Sequence, residues 1–339
     1  MRKKILNVLK FLVFLSIGLT LLYIAFKGIN LNDLWTDLKH AQYSWVFLAL
    51  VFNIFSHISR AMRWNILIEP LGFKPSTLNS FYAVMIGYFA NLAAPRLGEI
   101  TRCGVLNKTD KIPFDSLVGT VIVERIIDLI TLVILTIIIF FSKINFFGQF
   151  LIKNVFNPLS AKLSNFFPST GWAWLLFLIG LGILAIFWLF RKKLSRIILS
   201  HKLKKIIQGV IQGLKSIYTM KKFWAFLGHS LFIWIMYFLM TWVLVFSLPE
   251  TSGLKPIDGL FLLVVGSLGM AAPVQGGIGA YHWIVSLGLT IYGIPKEKGL
   301  AFATISHESQ TLLLIIIGAI SMFLVIIKTK KTYIPENNK

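Results

Sequence analysis

Residues 91–104 read NLAAPRLGEITRCG, and residues 269–282 read GMAAPVQGGIGAYH. In both, an apolar stretch runs into Ala-Ala-Pro and a glycine follows three residues after the proline. Proline removes a backbone N–H and disfavours helix at the residue before it. Glycine permits tight turning and close approach. The first break is followed by charges (Arg96, Glu99, Arg102), the second by small and polar residues (Gln275, Gly276, Gly277, Gly279, Tyr281, His282).

The chain around these breaks is strongly apolar. Of its 339 residues, 56% are hydrophobic and 14% charged, and the mean hydropathy is +0.77. Several runs approach or exceed the ~20 residues that cross a bilayer. The expectation is an all-α polytopic membrane protein with about six spans, near 5–26, 45–59, 117–141, 172–190, 224–248 and 300–327. Alternating segments of a β-barrel are not evident. The N-terminal MRKKILNVLK precedes an apolar run with no small-x-small cleavage site, so it reads as an uncleaved first span. Cys103 is the only cysteine, which rules out a disulfide framework and a cysteine metal site. The six histidines are scattered and form no HExxH pair, so neither a metal site nor a cofactor is expected.

A net charge of +21 raises the question of nucleic acid. The basic residues sit in loops between spans, which is instead the positive-inside pattern and suits anionic headgroups. The segment 191–222 holds ten Lys/Arg and no acid, so it belongs in the cytoplasm. Its apolar residues between 194 and 218 fall at helical spacing, as in a basic amphipathic helix on the inner leaflet. Arg2, Lys3, Lys4 and Lys10 place the N-terminus in the cytoplasm of a cell-membrane protein, and Lys328, Lys330, Lys331 and Lys339 place the C-terminus there too.

Parity then decides how the two breaks are read. If 79–94 were an ordinary span, the ten-charge segment would lie outside. If 79–106 enters from the cytoplasm and returns, with Pro95 at its tip, parity is right. By the same logic 259–293 enters from outside with Pro273 at its tip, or both of its arms cross fully, since parity is then unchanged. Irregular backbone at membrane depth survives only where it is buried in protein or lines a wet cavity.

The two halves also correspond. Ala93-Ala94-Pro95 with Gly98 matches Ala271-Ala272-Pro273 with Gly276, and Ile112-Pro113 matches Ile294-Pro295 before a long span. Glu124, Arg125 and Asp128 lie early in the first such span, and His307 and Glu308 hold similar places in the second. The expectation is a single membrane domain of inverted-topology repeats, about 44–141 and 224–327, with a broken helix in each, as in transporters.

The runs RAMRW from Arg60, NLAAPRLGEITR, SLVGTVIVERIIDL from Ser116, and AAPVQGGIGAYHW resemble the membrane region of lysylphosphatidylglycerol synthases, a flippase-like integral membrane family. The resemblance covers about residues 5–327. In the synthases this region is similar in role to a lipid flippase and is followed by a soluble aminoacyl-transferase domain, absent before Lys339. The resemblance therefore implies lipid translocation without synthesis, and leaves the lipid open.

Charges within spans are costly and functional by default. At 1.5 Å per residue, Glu124 lies ~10 Å into its span and Glu308 ~12 Å into its own from the opposite side. Two readings of the first set stand side by side. Arg96 and Arg102 pair with Glu124 and Asp128 to hold the hairpin in place, or Arg96, Arg102 or Arg125 faces a wet cleft and holds a lipid phosphate through its planar fork. Gln275, Gly276, Gly277 and Tyr281 would complete the cleft, with His307 and Glu308 opposite. Arg60 and Arg63, beside Trp64, read as interfacial anchors or headgroup contacts.

The expected function is movement of an anionic or phosphate-linked lipid between leaflets, with membrane lipids as partners. A lipid phosphatase or transferase is a rival without a DxD, HExxH or Ser/His/Asp set behind it. An accessory subunit of a separate lipid-modifying enzyme is a second rival, and small-solute transport a third.

Overall fold

The computed structural model describes residues 2–143 and 220–331, and the fold within them is all-helical. The expected span 172–190 and most of the basic segment 191–222 lie outside the described residues. By its contacts the chain divides into a unit of residues 1–136 with 212–339 and a second unit of 137–211. The architecture below is that of the first unit.

Among the described residues, α1 (Arg2–Phe26) and α2 (Leu31–His40) are followed by α3 (Tyr43–Ile68). A broken pair comes next, α4 (Thr77–Ala93) and α5 (Leu97–Asp110), and then α6 (Phe114–Ser142). The second half holds α7 (Phe223–Leu244), the pair α8 (Pro256–Ala271) and α9 (Ala280–Thr290), and α10 (Lys296–Lys331). Three helical stretches are long and apolar enough to cross a membrane: Tyr43–Leu71, Phe223–Ser247 and Lys296–Thr329. A fourth is possible if α1 and α2, bent by 88° at their junction, count as one broken span. Asn30 starts α2 by accepting the Asn32 amide, an N-cap that a new helix direction needs.

Ala94 is extended and Arg96 left-handed, so α4 ends at the break and α5 starts in a new direction. The two arms fold back on each other. At the base of this hairpin, Asn79 Nδ2 donates to Asp110 Oδ2 over 3.0 Å. Near its tip the arms meet at Gly87 and Gly98. A Cβ on Gly98 would lie 2.7 Å from the Gly87 carbonyl carbon and overlap its oxygen. Asn91 Oδ1 accepts the Gly98 amide at 2.7 Å and so caps α5 from the other arm.

The second break closes in the same way. Gly266 and Gly269 on α8 face Tyr281 on α9, and Phe261 packs on Tyr292 at the base with ring centroids 5.5 Å apart. The base of the first hairpin lies beside the C-terminal end of α10, where Lys328 Nζ donates to Asn79 Oδ1 over 2.9 Å. The other end of α10 is held by Lys298, 2.6 Å from Asp37 and 3.0 Å from Glu250.

Packing between helices is close. Trp64 is fully buried among Ile68, Val84, Cys103, Leu106, Leu117 and Val121, and its indole N–H donates to Thr120 Oγ1 over 2.9 Å. In a bilayer such contacts act through dispersion and shape rather than release of water. Outward faces stay apolar: on α10, Ile320 is 53% and Phe323 62% exposed. Patches of this kind are a liability in water and ordinary against lipid.

Candidate functional site

The two proline tips meet. Asn91, Leu92, Pro95 and Arg96 from the first and Ala272, Pro273, Val274, Gly276 and Gly277 from the second line one cavity of about 400 Å³. Tyr88, Glu99, Arg125, Tyr281, His307, Gln310 and Thr311 complete its polar wall. The Leu92 side chain of the first tip packs against Gly276 of the second, whose φ of 56° favours glycine. A second cavity, also about 400 Å³, shares Tyr88, Arg125, Met270, Ala271 and Tyr281 with the first and extends along apolar Leu129, Leu132, Met240, Leu262 and Leu263.

At the tips the backbone turns through nearly the same conformation twice, at Arg96 (φ 61°, ψ 10°) and at Gly276 (φ 56°, ψ 11°). Gly276 adopts it freely. A residue with a side chain is held there at a cost of about 1 kcal/mol or more. Arg96 is exposed, lines the cavity, and forms no ion pair or hydrogen bond among the described residues.

Beside the cavity lies a buried ion cluster, of which Arg60 and Asp128 line the second cavity. Arg60 and Arg63 project from one face of α3, Arg102 from α5, Glu124 and Asp128 from α6. Arg60 Nη1 bonds Glu124 Oε1 and lies 3.0 Å from Asp128 Oδ2. Arg63 lies 3.2 Å from Glu124 and 2.8 Å from Asp128. Arg102 Nη1 reaches Glu124 Oε2 at 3.1 Å, with its guanidinium over the Trp64 ring. Tyr237 and Ser230 of α7 accept further N–H groups of Arg60 and Arg63.

This corrects the reading of Arg60 and Arg63 as interfacial anchors: they are 3% and 0% exposed. Two guanidiniums one helical turn apart on α3 face two carboxylates one turn apart on α6, and each guanidinium is ion-paired with both carboxylates. Of the two readings the sequence left open, Arg102 takes the paired one, with Glu124, whereas Arg96 pairs with neither acid. Arg125 turns away from the cluster and donates to Glu99 over 2.8 Å, in the cavity wall. Glu99 is thus a partner of Arg125 rather than of Arg102. Gln275 is buried in the second tip and does not line the cavity.

The histidines are not all scattered. The fold brings His282 of α9 to His307 and Glu308 of α10, with ligand atoms all within 4.8 Å of one another. These three residues could hold a metal ion. His307 also lines the cavity, while Glu308 is 52% exposed beyond it. Sequence reasoning did not single out Tyr88, Asn91, Gln310 or Thr311 as cavity residues. The helical spacing of Tyr88 and Asn91 from Pro95, and of Gln310 and Thr311 from His307, is the signal that would have found them.

These features define a helical membrane protein whose two broken helices meet at a polar cavity. The chain belongs to the family described as the lysylphosphatidylglycerol synthase TM region, whose model matches residues 7–318. It is also similar to a UPF0104 membrane protein of Methanocaldococcus jannaschii, 24% identical over 314 residues, covering 88% of this chain and 89% of that protein. No solved structure matches the chain.

Proposed function

We propose that the protein moves an anionic or phosphate-linked lipid between membrane leaflets, with the headgroup held in the cavity between the two tips. The observation that carries this reading is Arg96. An unpaired guanidinium kept in a strained backbone conformation, at the wall of a polar cavity, is costly unless its charge is used. A planar guanidinium fork suits phosphate. Arg96 and Arg125 against Glu99 leave the wall net positive. The second cavity, which shares Tyr88 and Arg125 with the first, carries Arg60 and Asp128 in its wall, and the apolar side formed by Leu129, Leu132, Met240, Leu262 and Leu263 gives an acyl chain a place beside its headgroup.

In this reading the ion cluster of Glu124 and Asp128 is the frame that fixes α5 and α3 around the site. The topology that accompanies it is about six spans in two inverted halves, residues 44–141 and 224–327, with both termini in the cytoplasm of a cell-membrane protein. The base of the first hairpin meets the C-terminal end of α10 at Lys328, and the outer part of the second meets its N-terminal end where Ser286 and Leu289 pack on Gly299, which supports that arrangement. The protein acts by translocation, without catalysis and without a nucleic-acid partner.

The test is leaflet exchange in proteoliposomes with labelled anionic phospholipids, an aminoacylated phospholipid and an isoprenoid-linked glycolipid. Movement of one class above protein-free vesicles supports the proposal. A well-folded protein that moves none of them contradicts it and favours an accessory role beside a separate lipid-modifying enzyme.

A further inference from the structure

The contacts of His307 fix where its proton lies. His307 Nε2 sits 2.8 Å from the Gly276 carbonyl oxygen. A carbonyl only accepts, so Nε2 carries the N–H and donates it. In the neutral imidazole Nδ1 is then a bare lone pair, yet Nδ1 lies 2.9 Å from Glu308 Oε1, a carboxylate oxygen that also only accepts. Two acceptors at that distance need a positive centre between them. A third donor atom converges on the same oxygen: His282 Nε2 is 3.4 Å from Glu308 Oε1. His282 is buried, and its other ring nitrogen has no hydrogen-bond partner, so nothing in the fold competes for the orientation of Nε2.

We propose that His282 Nε2, His307 Nδ1 and Glu308 Oε1 bind a divalent transition-metal ion of the zinc class. Two imidazole nitrogens and one carboxylate oxygen are a donor set suited to such ions. Ligands about 2.0–2.1 Å from a tetrahedral centre lie roughly 3.3 Å from one another. The separations of 2.9 and 3.4 Å bracket that value, and the third, within 4.8 Å, reaches it by a closure of no more than about 1.5 Å, within the range of a side-chain rotation. The Gly276 carbonyl completes the arrangement. A metal-bound histidine characteristically donates its other N–H to a carbonyl or carboxylate, which sets the ring and its tautomer. The carbonyl belongs to the second tip, so the ion would tie α9, α10 and that tip together. Glu308, exposed on a helix long and apolar enough to cross a membrane, would have its charge neutralised.

The test uses the full chain, purified in detergent with a histidine-free tag and stripped with a chelator. Zn²⁺ titration by calorimetry and Co²⁺ titration followed by visible absorption are the two readouts. The expected result is one ion per chain, a four- or five-coordinate Co²⁺ spectrum, and a higher unfolding temperature with Zn²⁺. Glu308→Gln and His282→Ala should each weaken binding at least about tenfold, and His40→Ala, on α2, should not. No stoichiometric uptake by the wild-type chain overturns the proposal, and would leave a proton as the bridge between His307 and Glu308. So does uptake that both ligand variants retain unchanged, which would mark an adventitious ion. If a variant misfolds, the wild-type stoichiometry and spectrum decide.

Discussion

Arg102 Nη1 lies 3.1 Å from Glu124 Oε2, and this ion pair joins the returning arm of the first hairpin to the helix that follows it. Glu124 is fully buried and also meets Arg60 and Arg63, while Asp128 takes the rest of their charge. Three guanidiniums against two carboxylates leave the cluster net +1.

That imbalance gives an ordering of variants. Arg102→Met leaves the cluster neutral, whereas Glu124→Gln leaves it at +2 with three buried guanidiniums around an amide. Breaking a buried pair by removing one partner costs about 3–5 kcal/mol. Glu124→Gln should reach that range and Arg102→Met should fall clearly below it. Thermal unfolding of both variants in the same detergent checks the order, and a less stable Arg102→Met would contradict the charge accounting.

The crossing of the first hairpin depends on two glycines. Gly98→Ala places a methyl on the Gly87 carbonyl, and Gly87→Ala puts one 2.9 Å from the Gly98 carbonyl oxygen. Backbone cannot yield as a flexible side chain can. Each substitution should cost about 1–3 kcal/mol, as overpacking does, with Gly98→Ala the worse. Gly104→Ala, which has open space around it, should cost little. Unfolding temperatures of the three single variants make the comparison.

The membrane sidedness of the hairpins is open to labelling. With Cys103 replaced, single cysteines at residues 107–111 should react with an impermeant thiol reagent from the cytoplasmic side only, and those at 295–298 from the outside only. Opposite labelling at either place would undo the inverted arrangement.

Much of this was legible before the structure. Ala-Ala-Pro followed by glycine marked both tips, because only a few residue types turn a chain inside an apolar stretch. Glu124 and Asp128 stood out because charge is rare in such helices. The role of Arg60 and Arg63 was hidden. Basic residues after an apolar run read equally well as anchors, and their partners lie 61 or more residues further along the chain, counting from Arg63 to Glu124. The meeting of His282 with His307 and Glu308 was hidden for the same reason: it depends on how α9 packs against α10, which no local pattern encodes. The backbone conformation at Arg96 could not be read either, since a sequence predicts glycine there.

Arg96 provides the most direct test of the central claim. Because its φ is 61°, Arg96→Gly relieves backbone strain. It should leave the protein at least as stable as wild type, by up to about 1 kcal/mol. The measurement is leaflet exchange in proteoliposomes of wild type and Arg96→Gly at matched protein content, using the lipid that the wild type moves. The account predicts at least about a tenfold loss of exchange, roughly 1.4 kcal/mol, in a variant that unfolds no sooner. Unchanged exchange in that variant would contradict it, because the cavity would then work without the one charge the fold strains to keep there.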